Sequence, residues 1–183
     1  MASSNISLRA AEQADQSPLE ALWQQFIESQ AASDERLTPA DDAAERWRND
    51  FPLWLDDTTV RLWVACPDDT SDIIGFVRAH RTGPPPLYQD CSEIYIDEVF
   101  VVPAHRRTGV ATALVDRAVE WGASVGADRL RLSTAATNKA ARSFWEARRA
   151  RPMATVWTES IEPSTAAEDE DREGSAKIGF DWN

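Results

Sequence analysis

The stretch Ile94-Tyr95-Ile96-Asp97-Glu98-Val99-Phe100-Val101-Val102-Pro103-Ala104-His105-Arg106-Arg107-Thr108-Gly109-Val110-Ala111 decides how this chain is read. It opens as an apolar strand, passes through a short basic loop holding one glycine, and ends in the first turn of an amphipathic helix. Amides at a helix start have no partner within the helix and lie at the positive end of its dipole. Strand, loop and helix in that order therefore build an anion cradle, and a diphosphate can be held there largely by main chain. Gly109 suits the position because the backbone must approach such a ligand closely.

Downstream, the helix continues through Val110-Ala111-Thr112-Ala113-Leu114-Val115 and is predicted over 109–124. A strand over Arg129 to Ser133 and a helix over Asn138 to Arg148, with Asn138 as N-cap, complete an alternating β-α-β-α half. Upstream, Ile6 to Ala10 reads as a first strand. Ser17-Pro18-Leu19-Glu20 combines a capping serine, a first-turn proline and a glutamate three residues after the cap, which predicts a helix to about Gln30. Its apolar positions Leu19, Leu22, Trp23, Phe26 and Ile27 recur at helical spacing and read as core. Thr38-Pro39-Ala40-Asp41 repeats the start signal for a second helix to about Asn49, presenting Ala40, Ala43, Ala44 and Trp47. Thr59 to Ala65 and Ile73 to His80 alternate about a turn-rich segment and predict a hairpin. Gly83-Pro84-Pro85-Pro86 is a non-regular connection, since prolines remove donors from any ladder. Met153 to Thr158 reads as another strand. Glu162 to Ser175 is polar and charged enough to stay disordered, and Lys177 to Trp182 either docks as a last strand or trails.

The 183 residues, 43% of them hydrophobic, allow one domain over 1–160 followed by an acidic tail over 161–183. No apolar run approaches the ~20 residues that span a bilayer, and the amino terminus lacks a leader pattern, so a cytoplasmic location without membrane contact is the expectation. Cys66 and Cys91 are too few and isolated for a disulfide framework or a zinc site; free thiols and no metal are expected. The formal charge of −12 argues against a nucleic-acid surface and suits either a cationic acceptor or plain solubility. Glu168 to Asp171, Asp41-Asp42 and Asp56-Asp57 read as solvated patches.

Three local patterns together carry a resemblance: the strand ending in Val101-Val102-Pro103, the sequence Arg106-x-x-Gly109-x-Ala111, and Asn138-x-x-Ala141-x-x-Phe144-Trp145 one strand later. They resemble the GNAT superfamily of acyl-CoA-dependent N-acyltransferases, most strongly over residues 93–146. The resemblance implies an α/β (α+β) fold: a mixed, mostly antiparallel sheet of six to seven strands with helices on both faces. It implies acetyl-CoA as cosubstrate, lying where two neighbouring parallel strands splay apart. The backbone of Phe100 and Val101 would pair with the pantetheine arm, the Val101 amide pointing at the thioester carbonyl. Arg106, Arg107, Thr108, Gly109, Val110, Ala111 and Thr112 would hold the pyrophosphate, with Arg106 and Arg107 either adding charge or standing as surface arginines. Asn138 would contact the cofactor near its pantetheine end.

By the same resemblance the reaction is direct attack of an amine on the thioester, on a small-molecule or peptide acceptor, and a homodimer is compatible. A primary amine of pKa about 10.4 must lose a proton first, so a nearby acceptor is needed. Asp97 and Glu98 are the candidates jointly. In an unbroken strand Asp97 shares a face with Tyr95, Val99 and Val101 while Glu98 points away, and a bulge would change that parity. Relatives commonly carry a tyrosine acid where this chain has Trp145; an indole N–H is a donor and far too weak an acid for that task. Trp145 would instead wall the site or orient the sulfur, with Tyr88 or Tyr95 as substitute acids. Arg149-Ala150 also departs from the usual Gly-Phe pair. The acceptor side falls to the first two helices and the loop 81–92, with Trp23, Phe26, Trp47 and Trp54 as candidate lining. A non-catalytic acyl-CoA-binding module and a cofactor-free structural domain are the competing readings.

Overall fold

A computed structural model describes residues 5–161 apart from 85, 86, 88 and 90. Its strands are β1 (Ile6–Ala10), β2 (Val60–Pro67), β3 (Gly75–Thr82), β4 (Glu93–Val101) and β5 (Arg129–Leu132), and its helices α1 (Gln16–Ser33), α2 (Ala43–Asp56), α3 (Val110–Ser124) and α4 (Lys139–Ala147). The sheet runs in sequence order, β1-β2-β3-β4-β5. Each of its first four strands is antiparallel to its neighbour, and α3 returns the chain so that β5 lies parallel to β4.

Strand alternation divides the interior in two. On one face α3 and α4 bring Val110, Leu114, Val115, Ala118 and Trp145 onto Trp63, Val77, Ala79, Ile94 and Ile96. On the other, α1 and α2 bring Leu19, Leu22, Trp23, Trp47 and Phe51 onto Leu62, Val64, Phe76 and Phe100. Helices thus cover both faces of a mixed sheet, as the sequence implies. At ~1.5–3 kcal/mol for each fully buried large side chain, these two layers are the main favourable contribution to folding.

Three expectations need correction. The sheet has five strands among the described residues, where six or seven were expected, because Met153 to Thr158 forms no strand. Arg149 turns the chain with φ +64°, a left-handed conformation that glycine adopts more easily, and Met153, Val156 and Trp157 stay exposed beyond it. Helix α1 starts at Gln16 rather than after a Ser17 cap: Asp15 receives the Arg9 guanidinium at 2.6 Å and the Glu12 amide at 2.8 Å, which fixes the turn before it. Helix α2 starts at Ala43 and runs through Pro52 to Asp56. Pro52 leaves the Arg48 carbonyl without its helical donor, and the Gln16 side chain supplies one at 2.8 Å. Residues 162–183, including the expected disordered run and the terminal Lys177 to Trp182, lie outside the described residues, as does Tyr88. Among the described residues no helix is long and apolar enough to cross a membrane, and Cys66 and Cys91 are both free.

Candidate active site

The centre of β4 carries an irregularity that sets the site. The register with β3 runs from Gly75↔Val101 to Arg78↔Glu98 and then shifts to Ala79↔Ile96, so Asp97 faces no partner. This β-bulge changes the side-chain parity. Ile94, Ile96, Val99 and Val101 all feed the α3 side, while Asp97 and Glu98 both emerge on the α1 side with Phe100. Consecutive acidic residues that an unbroken strand would send to opposite faces thus stand together.

Their partners differ. Glu98 has both oxygens engaged: Oε1 accepts from Trp23 Nε1 at 3.1 Å and Oε2 from Arg78 Nε at 3.2 Å. Asp97 Oδ2 lies 2.9 Å from His80 Nδ1 and 3.5 Å from Arg78 Nη1, and Oδ1 has no partner among the described residues. The Arg78 guanidinium is sandwiched between these carboxylates and the Trp54 ring, whose centroid is 4.2 Å away. Burial works against its charge, but Glu98 and Asp97 outweigh that and hold it protonated more firmly than in water. One guanidinium between two carboxylates leaves a formal excess of one negative charge.

Beyond Ile96, β4 and β5 part: their pairing ends at Ile96↔Leu132, whereas β4 continues to Val101. Adjacent amides in a strand point to opposite edges. The Val102 amide donates to Ile74 on the β3 side at 3.0 Å, so the Val101 amide faces the opened edge. Phe100 turns its side chain into the α1 layer and has only main chain to offer there. The cleft is lined by Phe26 and Gln30 of α1, by Asp97 and Glu98, by Ser133 after β5, by Asn138 just before α4 and by Trp145 of α4.

At the end of β4 the chain winds through Arg107 (φ +65°) and Gly109 (φ +95°) into α3. Left-handed residues in such a turn draw successive amides to one side, the arrangement that binds anions. Among the described residues, no protein acceptor takes the amides of Arg107, Thr108, Gly109, Val110, Ala111 or Thr112; the next, Ala113, bonds to Gly109 O at 3.0 Å. A Cβ on Gly109 would meet nothing within 4 Å, so this turn is open on its outer side. The Arg106 side chain folds back, its Nε donating to Val101 O at 2.9 Å and its guanidinium 5.4 Å from the Phe100 ring centroid. Arg107 is exposed.

Of the residues singled out from sequence, Asp97, Glu98, Asn138 and Trp145 meet in the cleft, and Arg106 to Thr112 form the turn at the end of β4. Asn138 also caps α4, its Oδ1 accepting from the Ala141 amide at 3.0 Å. Of the candidate acceptor-side aromatics, Phe26 lines the cleft and Trp23 reaches it through Glu98, while Trp47 packs in the α2 layer and Trp54 beneath Arg78. The Tyr95 hydroxyl donates to Ser133 Oγ at 3.0 Å. Arg78 and His80 were missed by the sequence reading; their signal was two basic side chains at alternate positions, interleaved with the apolar Val77 and Ala79.

A mixed sheet with helices on both faces, parting beside β4, is the fold that the sequence resemblance implies, and the family comparison agrees. The chain matches the Acetyltransferase (GNAT) family over residues 19–149 and belongs to it. Comparison with curated proteins gives no match. Among solved structures, a mutant of the BH1408 protein from Bacillus halodurans is 17% identical with a TM-score of 0.75, over 85% of this chain and 99% of that one. AAC(6')-Iy in complex with the bisubstrate analog CoA-S-monomethyl-acetylneamine is 19% identical with a TM-score of 0.69, over 87% of this chain and 100% of that one. The aminoglycoside antibiotic 6'-N-acetyltransferase AAC(6')-IG from Acinetobacter haemolyticus is 16% identical with a TM-score of 0.67, over 86% and 99%. At these identities the likeness is one of fold.

Proposed function

We propose that this protein is an N-acetyltransferase that moves an acetyl group from acetyl-CoA to a primary amine of a cationic small molecule by direct attack. The observation that carries the proposal is the run of six amides from Arg107 to Thr112 without protein acceptors, placed at the end of a strand whose outer edge is open as far as Val101. The turn would take the diphosphate, the free edge of β4 the pantetheine amides, and the Val101 amide the thioester oxygen. One pre-aimed donor of that kind is worth about 3 kcal/mol as charge develops on the oxygen.

Asp97 is the base in this reading, and Glu98 is not. Both line the cleft, but each Glu98 oxygen already accepts a hydrogen bond, from Trp23 or Arg78, whereas Asp97 Oδ1 accepts none. The acceptor arrives as an ammonium, which the excess negative charge of the Arg78, Asp97 and Glu98 group attracts. Asp97 Oδ1 takes its proton, the nitrogen lone pair forms the C–N bond, the C–S bond breaks to release CoA as a thiolate, and the second proton, left on the cationic nitrogen, passes through solvent to that thiolate. A thiol of pKa about 8.5 leaves tolerably as the anion, so turnover does not require an acid at Trp145. The aminoglycosides acetylated by AAC(6')-IG belong to the polycationic class such a site suits.

Calorimetry with acetyl-CoA, followed by thiol release against aminoglycosides, polyamines and amino-acid derivatives, tests the proposal. Binding together with release supports it; no binding overturns it. A second reading, a non-catalytic acyl-CoA-binding module, draws on Trp145, which is buried against the α3 layer where relatives commonly hold an acid. Saturable binding with no release against any amine is its signature.

A further inference from the structure

Asp97 is held by a neighbour that belongs to a different strand. His80 on β3 sits opposite Tyr95, and its ring stacks on the Tyr95 ring at 5.5 Å between centroids with 36° between planes. In that pose Nδ1 points at Asp97 Oδ2 across 2.9 Å. A carboxylate is acceptor only, so the proton of this bond is assigned to Nδ1 and His80 donates. The bulge is what makes the contact: it leaves Asp97 without a cross-strand partner and turns its carboxylate to the face His80 occupies. His80 keeps 31% of its side-chain surface exposed, and unlike Asp97 and Glu98 it does not line the cleft.

We infer that His80 is the positioning residue of the base: by fixing Oδ2 it presents Oδ1 to the incoming amine. The inference rests on the transferase reading above. Arg78 cannot do this alone, because its Nη1 is 3.5 Å from Oδ2 while its Nε is committed to Glu98. A short aspartate on a bulged strand with only a long ion pair would sample more than one rotamer, and Oδ1 would not stay aimed. Asp97 and Tyr95 approach His80 from β4, and Asp57 lies near it at the end of α2, with Arg61 beside Asp57 on β2. Arg78 and Arg81 flank it on β3 itself.

His80→Ala and His80→Asn distinguish this role from its alternatives. An asparagine Nδ2 occupies about the place of the imidazole Nδ1 and can donate to Oδ2; alanine cannot. Misplacing a reacting group by about an ångström costs up to about a hundredfold, so kcat of His80→Ala should fall roughly ten- to a hundredfold. The KM for acetyl-CoA, whose cradle lies at the far end of β4, should stay within about twofold. His80→Asn should recover most of the lost kcat. The inference is overturned if His80→Ala turns over like the parent, if the two variants are equally impaired, or if the KM for acetyl-CoA rises and the melting temperature falls together with the loss of kcat. Should the alanine variant not fold, His80→Asn against the parent decides, since near-parental kcat supports the donor role and deep loss refutes it. A parent that binds acetyl-CoA and releases no thiol overturns the transferase reading instead, and the positioning role falls with it.

Discussion

Replacing Gly109 by alanine separates a conformational need from a ligand need. Gly109 has φ +95°, and a Cβ there meets nothing within 4 Å. The folding penalty is therefore backbone strain alone, about 1–2 kcal/mol for an L residue in that region. At ~2–4 °C per kcal/mol for a domain of this size, the melting temperature should drop by roughly 2–8 °C. If the amides of residues 107–112 grip the diphosphate, the new methyl also stands where a phosphate must approach. Losing one hydrogen bond to a charged group costs about 1.5–3 kcal/mol, which raises the Kd for acetyl-CoA roughly ten- to a hundredfold. Gly126 provides a matched control: its φ is +74°, a Cβ there also meets nothing within 4 Å, and it lies past the opposite end of α3. Gly126→Ala should lose similar stability and keep parental affinity. Calorimetric titration of both variants, each checked by thermal melting, gives the answer. Equal acetyl-CoA affinity in the two would refute the cradle.

Asp97→Asn should lower kcat by about 10²–10⁴ with little change in melting temperature, whereas Glu98→Gln, which weakens the hold on Arg78 and Trp23, should lower stability by about 1–3 kcal/mol; steady-state kinetics beside thermal melts separates them. Glu93 is wholly buried between Arg129 and Arg131, 2.9 Å from Arg131 Nε, so Glu93→Ala should cost about 3–5 kcal/mol in urea titration. A Cβ on Gly122 would lie 2.8 Å from Ile94 Cγ1 in the core, and Gly122→Val should destabilise by about 1–3 kcal/mol. The hydrogen bond from Arg9, helped by the Glu12 amide, holds the Asp15 carboxyl below the usual carboxylate range. A lowered folded-state value contributes stability above about pH 4 that disappears as pH falls through it. Asp15→Asn should therefore flatten part of the acid side of a stability-versus-pH curve.

Strands β1 to β5 and helices α3 and α4 were legible because each carries its own period and its own stop signal. Val110 to Ser124 follows directly from a glycine and an apolar stripe. The end of α2 was hidden because Pro52 reads as a breaker, and only a side chain from α1, distant in sequence, satisfies the carbonyl it orphans. Met153 to Thr158 has strand composition, yet composition cannot tell whether a partner edge will be met. The site divides the same way. The turn from Arg106 to Thr112 is a local pattern whose shape could be read directly, as could the position of the acidic pair. Which carboxylate is free depends on Trp23, Arg78 and His80, brought from α1 and β3 by tertiary packing, and no spacing along β4 encodes them.

The unopposed residue in β4 works as a phase shifter. On either side of it the strand is an ordinary two-residue repeat, so the layer beneath α3 receives an unbroken supply of aliphatic side chains from Ile94 to Val101. Asp97 is thereby inserted between core positions rather than exchanged for one of them. Removing that one residue, Asp97, would leave both halves in phase with β3 and Glu98 still opposite Arg78, and in the proposed reaction it would take away the base while sparing the sheet.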